Sequence, residues 1–132
     1  MAAGAVRAGD LIAVYGLLRA GEMGFEQFGL AHAFRDAGPC VLKGELFDLG
    51  RYPGLVQGEG RVIGELFEVL DPSVMARLDA WEDYWPDDPA RSRYERRQTA
   101  LIEPAGRNAW VYVWALGLQG ATRIESGDWL TR

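Results

Sequence analysis

Within the stretch 78–97, LDAWEDYWPDDPARSRYERR, Glu82 stands between Trp81 and Tyr84, with a further ring at Trp85 and acids at Asp79, Asp83, Asp87 and Asp88. A carboxylate at the C-terminal end of a helix meets the negative end of the helix dipole and is mildly disfavoured there. Neighbouring acids and burial against Trp81 or Tyr84 act in the same direction and raise the pKa. A glutamate lifted toward neutrality can take a proton and return it, which is what a general acid–base catalyst does. The same spacing also describes a solvated helix end, and spacing alone does not separate the two.

A second arrangement lies in VYGLLRAG, residues 14–21. A strand that ends at Tyr15 and turns through Gly16 can leave the amides of Leu17 and Leu18 pointing outward without acceptors. Consecutive free N–H groups form a nest for a carboxylate or a developing oxyanion. Gly16 suits the turn because it can take positive φ and admits close approach. As a bare pattern it is equally an ordinary turn. Arg19, next in the loop, could meet a substrate carboxylate or a surface acid. Tyr112 shares a strand face with Trp110 and Trp114, a packing row that could also touch substrate. Arg96 and Arg97 must point to opposite faces of their strand, and Tyr52 in RYPG reads as structural.

These residues need elements to hold them. LIAVY (11–15) reads as a buried strand, followed by the glycine-punctuated loop GLLRAGEMG. Phe28, Ala31 and Phe34 recur at helical spacing over 25–37, and Gly38-Pro39 stops that helix. EMGFEQF, apolar for a loop, reads either as core or as the lining of a pocket. KGELFDLG (43–50) and IGELFEVL (63–70) are similar strands, better explained by a shared packing demand than by duplication, with a bend expected at Pro53-Gly54. DPSVMARLDAWE begins with a cap at Asp71 and a first-turn Pro72, and carries the apolar stripe Val74, Met75, Leu78, Trp81. YERRQTALIE (94–103) and AWVYVWAL (109–116) form an expected hairpin about PAGRN. The order β-α-β-β-α-β-β predicts an α+β fold in which a mixed sheet curls over its helices and could close as a barrel.

Composition narrows the class. The 132 residues fit one domain, 1–132, with 48% hydrophobic and 25% charged residues. A net charge of −5 offers nothing to nucleic acid. Cys40 and His32 are each the sole residue of their type. An internal disulfide is therefore impossible, a Cys-based zinc site is not expected, and any serine triad would have to be built around His32. The apolar runs LIAVYGLL and WVYVWALGL are too short to cross a bilayer, and the N-terminus lacks the order of a secretory signal. A soluble, reducing, cytoplasmic setting is expected, with no membrane partner. No feature fixes an oligomeric state.

Taken in order, VYGLLRAG, LFDLGRYPGLV, VIGELFEVLD, LDAWEDY and YERRQTALI resemble the gamma-glutamylcyclotransferase-like family, also called AIG2-like or butirosin-type cyclotransferases, from about residue 11 to 129. The resemblance implies a small mixed β-barrel flanked by helices. It also implies an enzyme that converts a gamma-glutamyl amine or gamma-glutamyl amino acid into 5-oxoproline and a free amine, with no cofactor and no metal. By position, the loop that grips the gamma-glutamyl group falls on Tyr15, Gly16, Leu17 and Leu18, and the acid–base residue on Glu82. Leu17 departs from the family's usual Ser or Thr, which removes a hydroxyl contact and makes the pocket more apolar. The rival reading is a non-catalytic member that binds a small carboxylate or a peptide, and a hydrolytic variant with water as nucleophile is a third.

Overall fold

A computed structural model describes residues 5–19 and 24–132. Six strands form one mixed sheet: β1 (Leu11–Val14), β2 (Phe34–Asp48), β3 (Pro53–Val69), β4 (Tyr94–Ala100), β5 (Asn108–Trp114) and β6 (Thr122–Arg123), in the spatial order β4-β5-β1-β3-β2-β6. β1 runs antiparallel to β3 and parallel to β5, while the β2/β3, β2/β6 and β4/β5 pairs are antiparallel. The sheet curls until its ends meet. Just past β4, Val41 and Glu103 form an antiparallel bridge back to β2, with Ile102 N–H donating to the Val41 carbonyl at 2.9 Å. The expected barrel is therefore a partly closed one.

Alternation along the strands separates two apolar clusters. Leu42, Leu46, Leu66, Val111 and Trp129 pack on one face. Ile12, Val69, Leu78, Tyr94, Trp110 and Tyr112 pack on the other, beneath the helix α1 (Met75–Trp81). As expected, Trp110, Tyr112 and Trp114 share one side of β5, and Val111 and Val113 the other. The helix begins as predicted: the Asp71 carboxylate accepts from Ser73 N–H at 3.0 Å, and Pro72 opens a short 3₁₀ turn, Pro72–Val74. Trp81 leaves the stripe. It is 38% exposed, because the helix ends beside an open cleft.

Two expectations need correction. The helix predicted over 25–37 does not form; 3₁₀ turns at Phe25–Phe28 and Ala31–Ala33 lead into β2 at Phe34. Gly29 adopts φ +68°, which ends the first turn, and Phe34 pairs with Val69, so sheet pairing overrides the apolar spacing. Phe25 is nonetheless core, stacked on Phe34 at 4.1 Å between centroids. Glu22 and Met23 of EMGFEQF, and residues 20–23 of the glycine loop generally, lie outside the described residues. The second correction concerns Pro53-Gly54, which is not the bend but the start of β3. The reversal is at 49–52, where Leu49 N–H donates to the Tyr52 carbonyl at 3.0 Å.

Candidate active site

The loop after β1 and the end of α1, far apart in sequence, line one cleft of about 250 Å³. Tyr15, Gly16, Leu17 and Leu18 come from the loop, Trp81 and Glu82 from the helix end, Tyr52 and Pro53 from the start of β3, Arg93 and Tyr94 from β4 and its approach, and Tyr112 from β5.

The loop is held from below. Tyr15 is buried, donates its hydroxyl proton to the Tyr112 carbonyl at 2.6 Å and accepts from Leu55 N–H at 3.1 Å. Arg19 N–H closes the turn on the Gly16 carbonyl at 3.0 Å. Among the described residues the amides of Leu17 and Leu18 have no acceptor. Gly16 matters through contact rather than dihedral, since its φ is not in the left-handed region. A Cβ there would sit 2.6 Å from Pro53 Cγ.

Glu82 caps the helix, donating its amide to the Leu78 carbonyl at 3.0 Å. A Schellman closure follows: Tyr84 N–H reaches the Asp79 carbonyl at 2.8 Å and Asp83 N–H the Ala80 carbonyl at 3.1 Å, with Asp83 at φ +57°. That closure fixes where the chain leaves the helix and keeps Glu82 on the cleft wall. Burial first, and the negative charge of Asp79 second, push the Glu82 carboxyl up to about 8. Its own charge reaches the phenols of Tyr15, Tyr94 and Tyr112, whose pKa values burial has already raised.

Asp79, one turn before Glu82, is buried. It accepts from Arg96 Nε at 2.9 Å, Arg96 Nη2 at 3.1 Å and the Tyr112 hydroxyl at 2.5 Å. Arg96 in turn lies over Trp110, 4.9 Å from the ring centroid. As strand alternation required, Arg97 points the other way, where it pairs with Glu95. Helix, β4 and β5 are thus clamped together behind Glu82.

Two assignments change. Arg19 does not line the cleft: its guanidinium is taken by Glu65 at 2.9 Å and Asp128 at 2.7 Å, which tie the loop to β3 and the C-terminal turn. Tyr52, read from sequence as structural, lines the cleft and accepts from Arg93 Nη1 at 3.1 Å. Arg93 itself was missed. Its neighbour in sequence, Tyr94, is fixed by donating to the Pro53 carbonyl at 2.7 Å. The signal for Arg93 lay in the pairing rather than in the motif, since its amide donates to the Asp83 carbonyl at 2.9 Å.

A family model described as gamma-glutamyl cyclotransferase, AIG2-like, matches residues 12–131. The chain belongs to this family. Among its AIG2-like relatives, the gamma-glutamylcyclotransferase family protein YtfP of Escherichia coli is 39% identical over 88 residues, 67% of this chain and 69% of that one. The gamma-L-glutamyl-butirosin B gamma-glutamyl cyclotransferase of Niallia circulans is 31% identical over 118 residues, covering 88% of this chain and 72% of that one. The solution structure of E. coli YtfP superposes with a TM-score of 0.68 at 32% identity, covering 91% of this chain and 96% of that one. The curled mixed sheet is accordingly the AIG2-like fold. Among the described residues no helix is long and apolar enough to cross a membrane.

Proposed function

We propose that this protein is a cyclotransferase that converts a gamma-glutamyl amine or gamma-glutamyl amino acid into 5-oxoproline and the free amine. The observation that carries the reading is a single carboxyl, Glu82, raised to about 8 on the wall of a cleft also lined by Leu17 and Leu18, whose amides have no acceptor among the described residues. Family membership supports the same chemistry.

The ionised Glu82 takes a proton from the substrate's α-ammonium group. The freed nitrogen attacks the γ-carbonyl carbon, forming the C–N bond of a five-membered ring. The γ-oxygen becomes an oxyanion, which the Leu17 and Leu18 amides stabilise. As the intermediate collapses, the bond to the leaving nitrogen breaks and Glu82 returns its proton to that nitrogen. The ring nitrogen, which still carries two hydrogens after the attack, gives one of them to the freed Glu82 carboxylate, which passes it to the released amine as that leaves in its ammonium form. Atoms and charge balance without water. Holding the glutamyl chain folded supplies on the order of 7–11 kcal/mol, so positioning carries much of the rate. The Tyr15 phenol, buried and with its pKa raised, stays protonated and keeps the loop in place rather than titrating.

A panel of gamma-glutamyl amines and amino acids incubated with the protein tests this directly. The expected result is 5-oxoproline and free amine in equal amounts, lost in Glu82→Gln while ligand affinity is kept. Equal turnover in that variant removes the acid–base assignment. Silence across the panel with retained binding favours a binding-only member, the reading that the apolar Leu17 would suit.

A further inference from the structure

We propose that the mouth of this cleft is a leaving-group subsite, in which Arg93 holds the free carboxylate of an apolar α-amino acid. The inference rests on the cyclotransferase reading and narrows it from amines in general to gamma-glutamyl amino acids.

Arg93 is the one cationic residue that lines the cleft among the described residues. Its side chain is 55% exposed, which puts it at the open end rather than the floor. Nε forms an ion pair with Asp83 Oδ2 at 3.0 Å and Nη1 donates to the Tyr52 hydroxyl at 3.1 Å, while Nη2 has no acceptor among the described residues. Asp83 cannot swing away to consume the rest of the fork. Its backbone is locked in the Schellman closure, and its other oxygen accepts from Trp85 Nε1 at 2.5 Å. The guanidinium is therefore held in place with N–H groups to spare, the condition under which arginine takes a carboxylate.

The direction of the substrate follows from the chemistry. The glutamyl half must fold where Glu82 and the Leu17 and Leu18 amides converge, which leaves the other side of the scissile bond to extend toward the mouth. An α-amino acid carries its carboxylate one carbon from the leaving nitrogen. Its side chain would meet Leu17 and the half-exposed Trp81, which supply apolar wall to the same cleft. Leu17, where a hydroxyl residue was expected, then becomes a surface for that side chain.

Three compounds isolate the carboxylate: gamma-glutamyl-leucine, gamma-glutamyl-leucine amide, and gamma-glutamyl-isopentylamine, which keeps the leucine side chain and lacks the carboxylate. Wild-type kcat/KM is expected to favour the acid over both neutral compounds by about 10-fold or more, chiefly through KM. Arg93→Gln should collapse that ratio to about 2-fold or less, and Arg93→Lys should retain part of it, charge without the fork. Equal rates for all three compounds in the wild type would overturn the subsite and leave the cyclotransferase reading standing. A uniform loss on all three in Arg93→Gln would also overturn it, since the guanidinium would then hold the glutamyl carboxylate common to them. If none yields 5-oxoproline, the cyclotransferase reading fails, and calorimetric titration of the same compounds still decides the subsite. Tighter binding of the acid, lost in Arg93→Gln, supports it; equal binding or no binding overturns it.

Discussion

In the proposed reaction Glu82 is a base early in the turnover and an acid later, and its environment suits it to both. With its carboxyl raised from an ordinary 4.5 to about 8, the ionised fraction grows about tenfold per pH unit up to that midpoint. The first step uses the ionised form, so kcat/KM is expected to climb with pH and level off above about 8 in a pH–rate profile. Glu82→Gln should lower kcat by on the order of 10²–10⁴-fold. The same shift has a stability sign. The folded state holds this proton to a higher pH than the unfolded chain does, so the group's contribution is complete below about 4.5 and lost as pH rises through about 8. Glutamine cannot ionise and escapes that loss. Glu82→Gln should therefore gain melting temperature relative to wild type as pH rises from 5 to 9, reaching on the order of 5 °C. An unchanging difference would show that the carboxyl is not held in its neutral form by the fold.

At the scale of elements, the site is a meeting of a turn and a helix end, and each depends on one close fit. Gly16→Ala places a methyl group 2.6 Å from Pro53 Cγ. The loop must shift, at about 1–3 kcal/mol, and KM should rise while the rest of the fold survives; unaltered KM would count against the loop as the binding element. Behind the helix, Asp79→Asn leaves Arg96 buried without its anion, a change expected to cost about 3–5 kcal/mol by denaturant titration. In whatever fraction stays folded, the pH–rate midpoint should move down, because Asp79 is one of the two causes holding Glu82 up. Glu82 and the 15–18 loop could be singled out as local patterns, a carboxylate among rings at a helix end and a glycine after a buried strand, but only the resemblance joined them into one site. Asp79 was visible only as one acid of several. That it faces Arg96 and Tyr112 follows from the β4/β5 register, where Arg96 pairs with Tyr112, and the short run of sequence does not encode that register. Arg19 shows the converse: its place beside the loop suggested a ligand, but its partner Asp128 is 109 residues away.

Over the whole molecule, the curl of the sheet brings these parts together. Strand alternation and the hairpin at 94–116 could be read from residue types, so the mixed, curled architecture was legible. The long β2/β3 pairing was not, because glycines and polar residues interrupt its apolar pattern at 57–60, where the register slips from Lys43–Arg61 to Glu45–Val56. The C-terminal turn Trp129–Thr131 also escaped sequence reading, although Trp129 is among the most deeply buried side chains. Trp129→Ala should destabilise the fold by about 3–5 kcal/mol in denaturant titration, and a loss below about 1 kcal/mol would mean that this end of the chain is peripheral to the core. What the assembled fold does to one distant carboxyl can be measured without any substrate. Titrating the Glu82 side-chain carboxyl by ¹³C NMR, assigned by its disappearance in Glu82→Gln, should give a midpoint near 8. A midpoint in the ordinary range of carboxylates, near 4.5, would contradict the account.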